Sequence, residues 1–389
     1  MNGNFAFHAP TGIYFGENCV NEQKRVINSF GRRAFIITSV FAPGSRNYAL
    51  EDFKNLLGEL GVEYCVYSDV EENPSVESIE RVTRQIRSYK PDYMIAIGGG
   101  SALDTAKAAN VLLTRPAMSD AYLVFYGGTM CANSCNSGKL PMLAVPTTAG
   151  SGSEVMGYAI LTRADTNTKL RINQLSYFEA AFLDARYVSE SPQWLLDAGA
   201  MDALAHGIEG VLNRVCSPMQ RVWHEYGFRL FAQYKDALLN GSLTRKQCGD
   251  MLMAASAHGM GTMQSGTTIP HGMGYPLTHF KKVTHGIASI MSAPSFLSML
   301  HCSDEIDSML KMCGFSGLEE FTQYINAIVR RNVDISVTRS EIEAWSDECF
   351  SLKRRIVKHV EPITRDMIRD IYLETLDPWI AGAAPAEAV

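Results

Sequence analysis

Short apolar runs alternate with amphipathic stretches along the first third of the chain. The apolar runs occupy 32–39, 63–70 and 93–100, and a fourth follows at 140–148. Between the first three, apolar residues recur every three or four positions, as they do on a helix with one buried face. Strand and helix alternate with a period of about 30 residues, so we expect βαβ units and a parallel sheet covered by helices.

The pattern changes after about residue 187, where long helical periodicities replace the strand-like runs. Six stretches carry these periodicities: 191–213, 219–239, 250–264, 318–331, 339–357 and 364–376. At 389 residues the chain also exceeds the roughly 250–300 residues at which one hydrophobic core stops growing. We therefore predict an α/β domain with a parallel sheet over 1–187 and an all-helical domain over 188–389.

Composition and charge exclude several classes of partner. The net charge of −6, without any block of lysines and arginines, argues against nucleic acid or an anionic membrane. The opening residues lack a signal-peptide pattern, and no apolar stretch reaches the roughly 20 residues that would span a bilayer. These features predict a cytoplasmic protein.

The nine cysteines form an odd number at irregular spacings, which favours reduced thiols over a disulfide framework. The one close pair, Cys131 and Cys135, lies in a polar stretch. Two interpretations stay open: a metal or redox pair, or a flexible loop with two incidental thiols.

A glycine triplet follows the third apolar run. Gly98, Gly99 and Gly100 permit positive φ and close approach of a ligand to the backbone. The helix expected behind them offers unpaired N–H groups and a positive dipole end, which together suit a pyrophosphate. The alternative is a tight turn from strand to helix, with Ser101 as the N-cap and Asp104 as an acid in the first turn.

A second loop rich in small residues and hydroxyls, "VPTTAGSGSEV", follows the fourth apolar run. It supplies the hydroxyls of Thr147, Thr148, Ser151 and Ser153. Because ligands of a parallel sheet bind outside the carboxyl ends of its strands, two such loops predict one shared diphosphate or sugar ligand. The G-x-G-x-x-G fingerprint is absent, so a conventional Rossmann site is not expected.

Candidate metal ligands lie in the helical half. Asp202 and His206 stand four residues apart in an apolar helical pattern, so they share one face. A buried carboxylate is costly unless it is paired, and a divalent cation would pair it. A surface ion pair, or a core histidine with a hydrogen-bond partner, would explain the same spacing.

Two further histidines, His271 and His285, flank a segment that we expect to be a loop folding back beside the Asp202 helix. One carboxylate and three imidazoles form a set suited to Fe²⁺ or Zn²⁺, with a position left for a substrate oxygen. A third histidine, His279, stands beside Phe280 and two lysines and is expected to be solvated.

Four motifs occur in order along nearly the whole chain: Gly-Gly-Gly-Ser-x-x-Asp-x-x-Lys, Pro-Thr-Thr-Ala-Gly-x-Gly-Ser-Glu-Val, Asp-Ala-Leu-x-His, and two histidines fourteen residues apart. In these motifs the chain resembles the iron-dependent (group III, metal-containing) alcohol dehydrogenases, which include lactaldehyde reductase and 1,3-propanediol dehydrogenase. The resemblance implies the dehydroquinate synthase-like fold, with a dinucleotide-binding α/β domain and a helical metal-binding and catalytic domain. It also implies a homodimer or larger homo-oligomer.

The resemblance further implies site residues and a reaction. The implied metal ligands are Asp202, His206, His271 and His285. The implied cofactor contacts are Asn73, Gly99, Gly100, Ser101, Asp104, Thr147, Thr148 and Ser151. The implied reaction is the reversible reduction of a small aldehyde to a primary alcohol by NAD(H) or NADP(H), with Fe²⁺ or Zn²⁺ polarising the carbonyl.

The chain departs from the family's pattern at two positions. Many members carry a histidine four residues after His271, where this chain has Tyr275. Tyr275 and His271 are therefore the catalytic candidates, although a phenol with a pKa near 10 changes the proton relay. Many NAD-specific relatives carry aspartate where this chain has Ser39, and Arg46 follows nearby. NADP(H) therefore stands beside NAD(H) as a candidate, with Ser39 at the ribose.

Three other functions stay open. The first is a reductase for a charged two-carbon aldehyde, such as sulfoacetaldehyde or phosphonoacetaldehyde. The second is an enzyme like dehydroquinate synthase or glycerol dehydrogenase; the former handles a phosphorylated substrate, which calls for more basic residues than the chain shows. The third is a non-catalytic assembly module, for which a broken set of metal ligands would be expected.

Overall fold

A computed structural model describes residues 4–39, 46–117, 119–127, 138–163 and 168–381. The chain forms two compact units. His8–Glu190 is one of them, and the chain from Ser191 onward, with the short segment before His8, is the other.

The first unit contains eight strands in its described residues: β1 (Gly12–Phe15), β2 (Arg33–Thr38), β3 (Glu63–Tyr67), β4 (Tyr93–Gly98), β5 (Met142–Pro146), β6 (Ile160–Arg163), β7 (Thr168–Arg171) and β8 (Ala180–Leu183). Six of them form one sheet in the order β1-β8-β5-β4-β2-β3, and every pairing within it is parallel. The predicted parallel sheet is thus confirmed. Its order places the carboxyl ends of β2, β4 and β5 side by side.

Helices cover this sheet: α1 (Cys19–Glu22), α2 (Lys24–Asn28), α3 (Tyr48–Leu60), α4 (Val76–Tyr89), α5 (Gly100–Leu113) and α6 (Ala121–Tyr126). The Asn47 side chain caps α3, and the Ser75 side chain caps α4. The apolar positions that recur in α4 are buried, as its periodicity predicts. The strands β2 to β5 and the helices α3 to α5 therefore follow from patterns along the chain, whereas the strands β1 and β8, the helices α1, α2 and α6 and the antiparallel hairpin β6–β7 were not predicted.

The second unit is helical: α7 (Gln193–Val211), α8 (Pro218–Leu239), α9 (Arg245–Ser265), α10 (Ile269–Lys281), α11 (His285–Ile290), α12 (Ala293–Ser298), α13 (Ser303–Met312), α14 (Leu318–Asn332), α15 (Arg339–Ser351), α16 (Lys353–Ile356) and α17 (Arg365–Leu376). From Leu196 to its end α7 is buried on all sides, and it packs against α8, α9 and α11. A helix that is apolar all round belongs in a core, so α7 is the central helix of the unit.

One prediction is wrong here. The segment that follows His271 was expected to be a loop, but most of it is the helix α10, with Pro276 inside. Its glycines permit close packing: a Cβ added at Gly274 would lie 2.6 Å from the carbonyl oxygen of Ala288 in α11. Close packing of α10 on α11 thus outweighs the helix-breaking tendency of proline and glycine.

Two other observations concern the cysteines and the possibility of a membrane span. The cysteines at described positions are free thiols, whereas Cys131 and Cys135 lie outside the described residues. In the part of the chain that the structure describes, no helix combines the length and the apolar character needed to cross a membrane.

Candidate metal centre and cofactor loops

Three helices bring together most of the predicted metal ligands. Asp202 lies in the middle of α7, His271 in the first turn of α10, and His285 at the first residue of α11. Each offers one ligand atom, and these atoms lie within 4.8 Å of one another. His206 stands next to this cluster: its ring centroid is 4.5 Å from that of His271. The His206 Nδ1 atom lies 2.8 Å from the backbone oxygen of Asp202, which leaves Nε2 for a ligand.

The cluster contains buried polar atoms that the protein does not satisfy. The Oδ1 atom of Asp202 and the Nε2 atom of His271 lie 3.5 Å apart, and neither has a hydrogen-bond partner among the described residues. Burial raises the pKa of Asp202, but the imidazoles of His206, His271 and His285 outweigh burial and lower it below its usual range. A buried carboxylate that stays ionised among imidazoles fits a divalent cation.

Glu209, which was not predicted from the sequence, holds His271 in place. This fully buried carboxylate contacts His271 Nδ1 and accepts a hydrogen bond from the His271 backbone N–H at 3.0 Å. Its other oxygen accepts from the backbone N–H and the hydroxyl of Thr268. Burial lowers the pKa of His271, but Glu209 and Asp202 outweigh it and raise that pKa to about 10. Because Glu209 occupies Nδ1, the Nε2 atom of His271 is the one turned to Asp202.

Tyr275 lies one helical turn after His271 on α10. Its ring stacks on that of His285, with centroids 6.1 Å apart and planes at 19°. Its hydroxyl accepts a hydrogen bond from Arg355 of α16, and the guanidinium carbon lies 4.8 Å from the ring centroid. Arg355 was also not predicted, because eighty residues separate it from Tyr275. His279, expected to be solvated, is half-buried against Phe280.

In the first unit, the two predicted phosphate loops touch each other. The backbone N–H of Thr147 donates to the Gly98 oxygen at 3.0 Å. A Cβ added at Gly99 would lie 3.0 Å from Thr148 Oγ1, and one added at Gly100 would lie 3.1 Å from Ser151 Oγ. The absence of side chains at these glycines is therefore what allows the two loops to approach so closely.

The alternative interpretation of the glycine triplet is wrong in its details. Helix α5 begins at Gly100 with Gly99 as its N-cap, so Ser101 is not the cap and Asp104 is outside the first turn. The Ser101 hydroxyl instead accepts a hydrogen bond at 3.2 Å from the backbone N–H of Asn73, a residue with a φ of 56°. Asn73 and Ser101 are thus neighbours at the helix start.

The Asp104 side chain, on helix α5, supports the second loop through hydrogen bonds. One of its oxygens accepts from Ser153 Oγ at 2.6 Å and pairs with Lys107 Nζ at 2.8 Å. The other accepts from the Ile160 backbone N–H at 2.9 Å. Lys107 is fully buried and donates to the backbone oxygens of Ser153, Met156 and Tyr158. Both oxygens of Asp104 are therefore engaged within the protein.

Ser39 follows β2 and reaches the same edge of the sheet, since a Cβ added at Gly98 would lie 3.5 Å from Ser39 Oγ. The Arg46 guanidinium pairs with Glu51 at 2.7 Å. The segment 40–45, which joins Ser39 to Arg46, is outside the described residues.

A parallel sheet with two such loops fits a nucleotide cofactor, and a carboxylate–imidazole cluster in the helical unit fits a metal, a combination that suits an oxidoreductase. Comparison with known proteins specifies the family. Residues 10–185 match the model of iron-containing alcohol dehydrogenases, and residues 197–376 match that of the C-terminal region of the same family. The chain belongs to the iron-containing alcohol dehydrogenase family.

Similar proteins are consistent with this assignment. The chain is 27% identical to a sulfoacetaldehyde reductase from Bilophila wadsworthia, over 94% of this chain and 97% of that protein. It is 30% identical to a lactaldehyde reductase from Escherichia coli, over 60% of each chain. A solved iron-containing alcohol dehydrogenase from Thermotoga maritima superposes with a TM-score of 0.83 at 28% identity, covering 96% of this chain and all of that one.

Family membership confirms the predicted fold class and enzyme class. The protein is an oxidoreductase that acts on alcohols or aldehydes, and a divalent metal with a nicotinamide cofactor agrees with that family. The assignment of individual site residues stays a prediction.

Proposed function

We propose that the protein catalyses the reversible, metal-dependent reduction of a small aldehyde to a primary alcohol by NAD(H) or NADP(H). The observation that carries this proposal is the cluster of Asp202, His271 and His285, with two buried ligand atoms that have no hydrogen-bond partner among the described residues. When bound, a divalent metal would supply Lewis acidity at the carbonyl, and a nicotinamide would supply the hydride.

In this proposal Asp202, His206, His271 and His285 hold the metal. One carboxylate offsets only part of a divalent charge, so the site stays positive toward a carbonyl oxygen. Glu209 fixes the orientation of His271 from the opposite side of its ring. Tyr275 is the proposed proton donor: its oxygen accepts from Arg355, which leaves its own hydrogen to be donated.

The proposed cofactor contacts lie at the sheet edge of the first unit: Asn73, Gly99, Gly100, Ser101, Thr147, Thr148 and Ser151 at the diphosphate, and Ser39 at the ribose. Asp104 was predicted as a further contact, and its hydrogen bonds favour a supporting role beneath the second loop. Ser39 carries no charge to repel a 2′-phosphate, so we propose that NADP(H) is accepted beside NAD(H).

A specific observation favours a second candidate substrate, a charged two-carbon aldehyde such as sulfoacetaldehyde. The relative from Bilophila wadsworthia is named for that substrate and matches 94% of the chain. Arg355, a cation, also contacts the proposed proton donor Tyr275.

The experiment that tests the proposal is an oxidation assay of NADH and NADPH over a panel of neutral and charged aldehydes. The purified protein is stripped of metal, reloaded with Fe²⁺ or Zn²⁺, and its metal content measured. Turnover that depends on metal and is lost in His271→Ala supports the proposal. Absence of turnover by the metal-loaded protein, in both directions and over the whole panel, would contradict it.

A further inference from the structure

We propose that Arg355 forms an anion-binding subsite beside the metal centre, and that the preferred substrates are short aldehydes with an oxyanion group such as a sulfonate, phosphonate or carboxylate. The inference rests on the proposed function, since it assigns a substrate class to the same site.

The first support is that Arg355 has hydrogen-bond donors that the described residues leave unused. Its Nη1 atom donates to Thr267 Oγ1 at 2.8 Å and to the Thr268 backbone oxygen at 3.2 Å, and its Nη2 atom donates to Tyr275. Of the five N–H groups of a guanidinium, these bonds leave Nε–H and one Nη2–H without an acceptor among the described residues. The Nε–H lies on the same edge of the guanidinium as one of the two Nη2 hydrogens, and that edge is the fork that binds carboxylate and phosphate oxygens in pairs.

The second support is charge. No carboxylate in the described part of the chain forms an ion pair with Arg355, whereas the half-buried Arg186 and the exposed Arg331 both pair with aspartates. Glu209 is near enough for Arg355 to lower its pKa, but its two oxygens are already bonded to His271 and Thr268. Neither oxygen of Glu209 forms an ion pair with Arg355, so the charge of Arg355 adds to that of a divalent cation whose charge Asp202 offsets only in part.

The third support is position. Arg355 lies along the start of α10: a Cβ added at Gly272, the residue after His271, would lie 3.6 Å from Arg355 Cδ. Its guanidinium carbon lies 4.8 Å from the Tyr275 ring centroid, and its Nη2 atom donates to the Tyr275 oxygen. A carbonyl oxygen that accepts the Tyr275 hydrogen would therefore lie only two hydrogen bonds away from the guanidinium. That short separation suits a substrate in which only a few atoms join the carbonyl to the anion.

The fixed orientation of the Arg355 guanidinium also favours specific binding of an anion. Two hydrogen bonds to the 267–268 segment and the stacking on Tyr275 fix its plane before any ligand binds. A group that is already ordered loses little conformational entropy when it binds an anion.

The test compares kcat/KM for sulfoacetaldehyde, phosphonoacetaldehyde and the neutral propionaldehyde in metal-loaded protein. The variants are Arg355→Gln and, as a matched control, Arg354→Gln, which removes an exposed arginine from the same helix. We expect the wild type to prefer an anionic aldehyde. Arg355→Gln should lower that preference by about 10- to 100-fold, mainly through KM, because a charge-assisted pair is lost. Arg354→Gln should leave the preference unchanged.

A binding measurement keeps the test independent of catalysis. Isethionate, the alcohol formed from sulfoacetaldehyde, is titrated calorimetrically into metal-loaded protein, with 1-propanol as the neutral probe. We expect isethionate binding to weaken at least tenfold in Arg355→Gln while the metal content stays equal to that of the wild type.

Two results would overturn the subsite. One is equal loss for anionic and neutral aldehydes in Arg355→Gln, which would mean that Arg355 only positions Tyr275. The other is a wild type that reduces neutral aldehydes and shows no preference for any anionic one; in that case the proposed function would stand without the subsite. Failure to reduce any aldehyde would count against the proposed function itself.

Discussion

Replacing Glu209 with glutamine tests whether this buried carboxylate supports the metal centre. The wild-type side chain accepts from four donors, two on His271 and two on Thr268. A glutamine keeps one oxygen and turns an NH₂ group toward the other pair. The Thr268 hydroxyl or a neutral His271 Nδ1 can then accept from that NH₂, but one backbone N–H faces a donor in either orientation. A buried donor left unsatisfied costs about 1–3 kcal/mol, so we expect the free energy of unfolding of the apoprotein to fall by about that amount.

We expect Glu209→Gln to lower metal affinity as well as the free energy of unfolding. A partner that orients a ligand from outside the coordination sphere contributes about 10- to 100-fold to metal affinity. We therefore expect the dissociation constant for Zn²⁺ to rise by that factor, which corresponds to about 1.4–2.8 kcal/mol. The measurement is competition between the apoprotein and a chromophoric chelator, followed by elemental analysis, so that it does not depend on activity.

Asp197→Asn is the matched control for this prediction. Asp197 is also a buried carboxylate on α7, but it pairs with Arg331 and contacts none of the candidate ligands. Its replacement should destabilise the protein and leave Zn²⁺ affinity at the wild-type value. If Glu209→Gln binds Zn²⁺ as tightly as the wild type, or if both variants lose affinity equally, the positioning role assigned to Glu209 is wrong.

The remaining predictions concern the metal ligands, the Lys107–Asp104 pair that supports the second loop, and the cofactor. Asp202→Asn should abolish the rise in Tm that Zn²⁺ gives the wild type, a stabilisation of about 2.7 kcal/mol when free metal is at 100 times the dissociation constant; an unchanged rise would contradict the assignment. Lys107→Met should lower the free energy of unfolding in urea by about 1.5–3 kcal/mol, since it removes the charged partner of the half-buried Asp104 carboxylate; a loss below about 1 kcal/mol would show that the Lys107–Asp104 pair is dispensable. Gly100→Val should weaken NADH binding in fluorescence titrations without changing metal content, because the new side chain crowds Ser151; normal binding would make the glycine a purely structural turn. Ser39→Asp should lower kcat/KM for NADPH at least tenfold more than for NADH, as expected for a repulsion of a few kcal/mol at an effective dielectric constant of about 20; an unmoved ratio would mean that Ser39 does not face the ribose.

The periodicity of apolar residues predicted those strands and helices that bury one face or lie wholly in the core. The strands β2 to β5 and the helices α3 and α4 appear where apolar runs and amphipathic repeats place them. The strands β1 and β8 have only four residues each, too few for a repeat to be recognised. Their place in the sheet comes from pairing with each other and with β5, which depends on contacts far apart in sequence.

Site residues that are close together in sequence were predicted, whereas a site residue that depends on contacts distant in sequence was missed. Asp202 and His206 share a helix, so their spacing alone indicated a common face. Glu209 lies on the same helix, seven residues after Asp202, and extending that spacing by one turn would have found it. Arg355 carries no such local signal, because its relation to Tyr275 arises only from the packing of α16 beside α10.

The helical conformation of α10 explains why these residues can act together. As a loop, the segment after His271 could have brought His285 to the metal cluster without fixing the position of Tyr275. As a helix it places Tyr275 one turn from His271, and the close approach of α11 at Gly274 sets His285 against the Tyr275 ring. Arg355 then meets a phenol whose position is determined by the same backbone that holds a metal ligand. The proposed anion subsite therefore lies beside the residue proposed to deliver the proton, and loss of Arg355 should weaken recognition of anionic aldehydes more than it slows proton transfer.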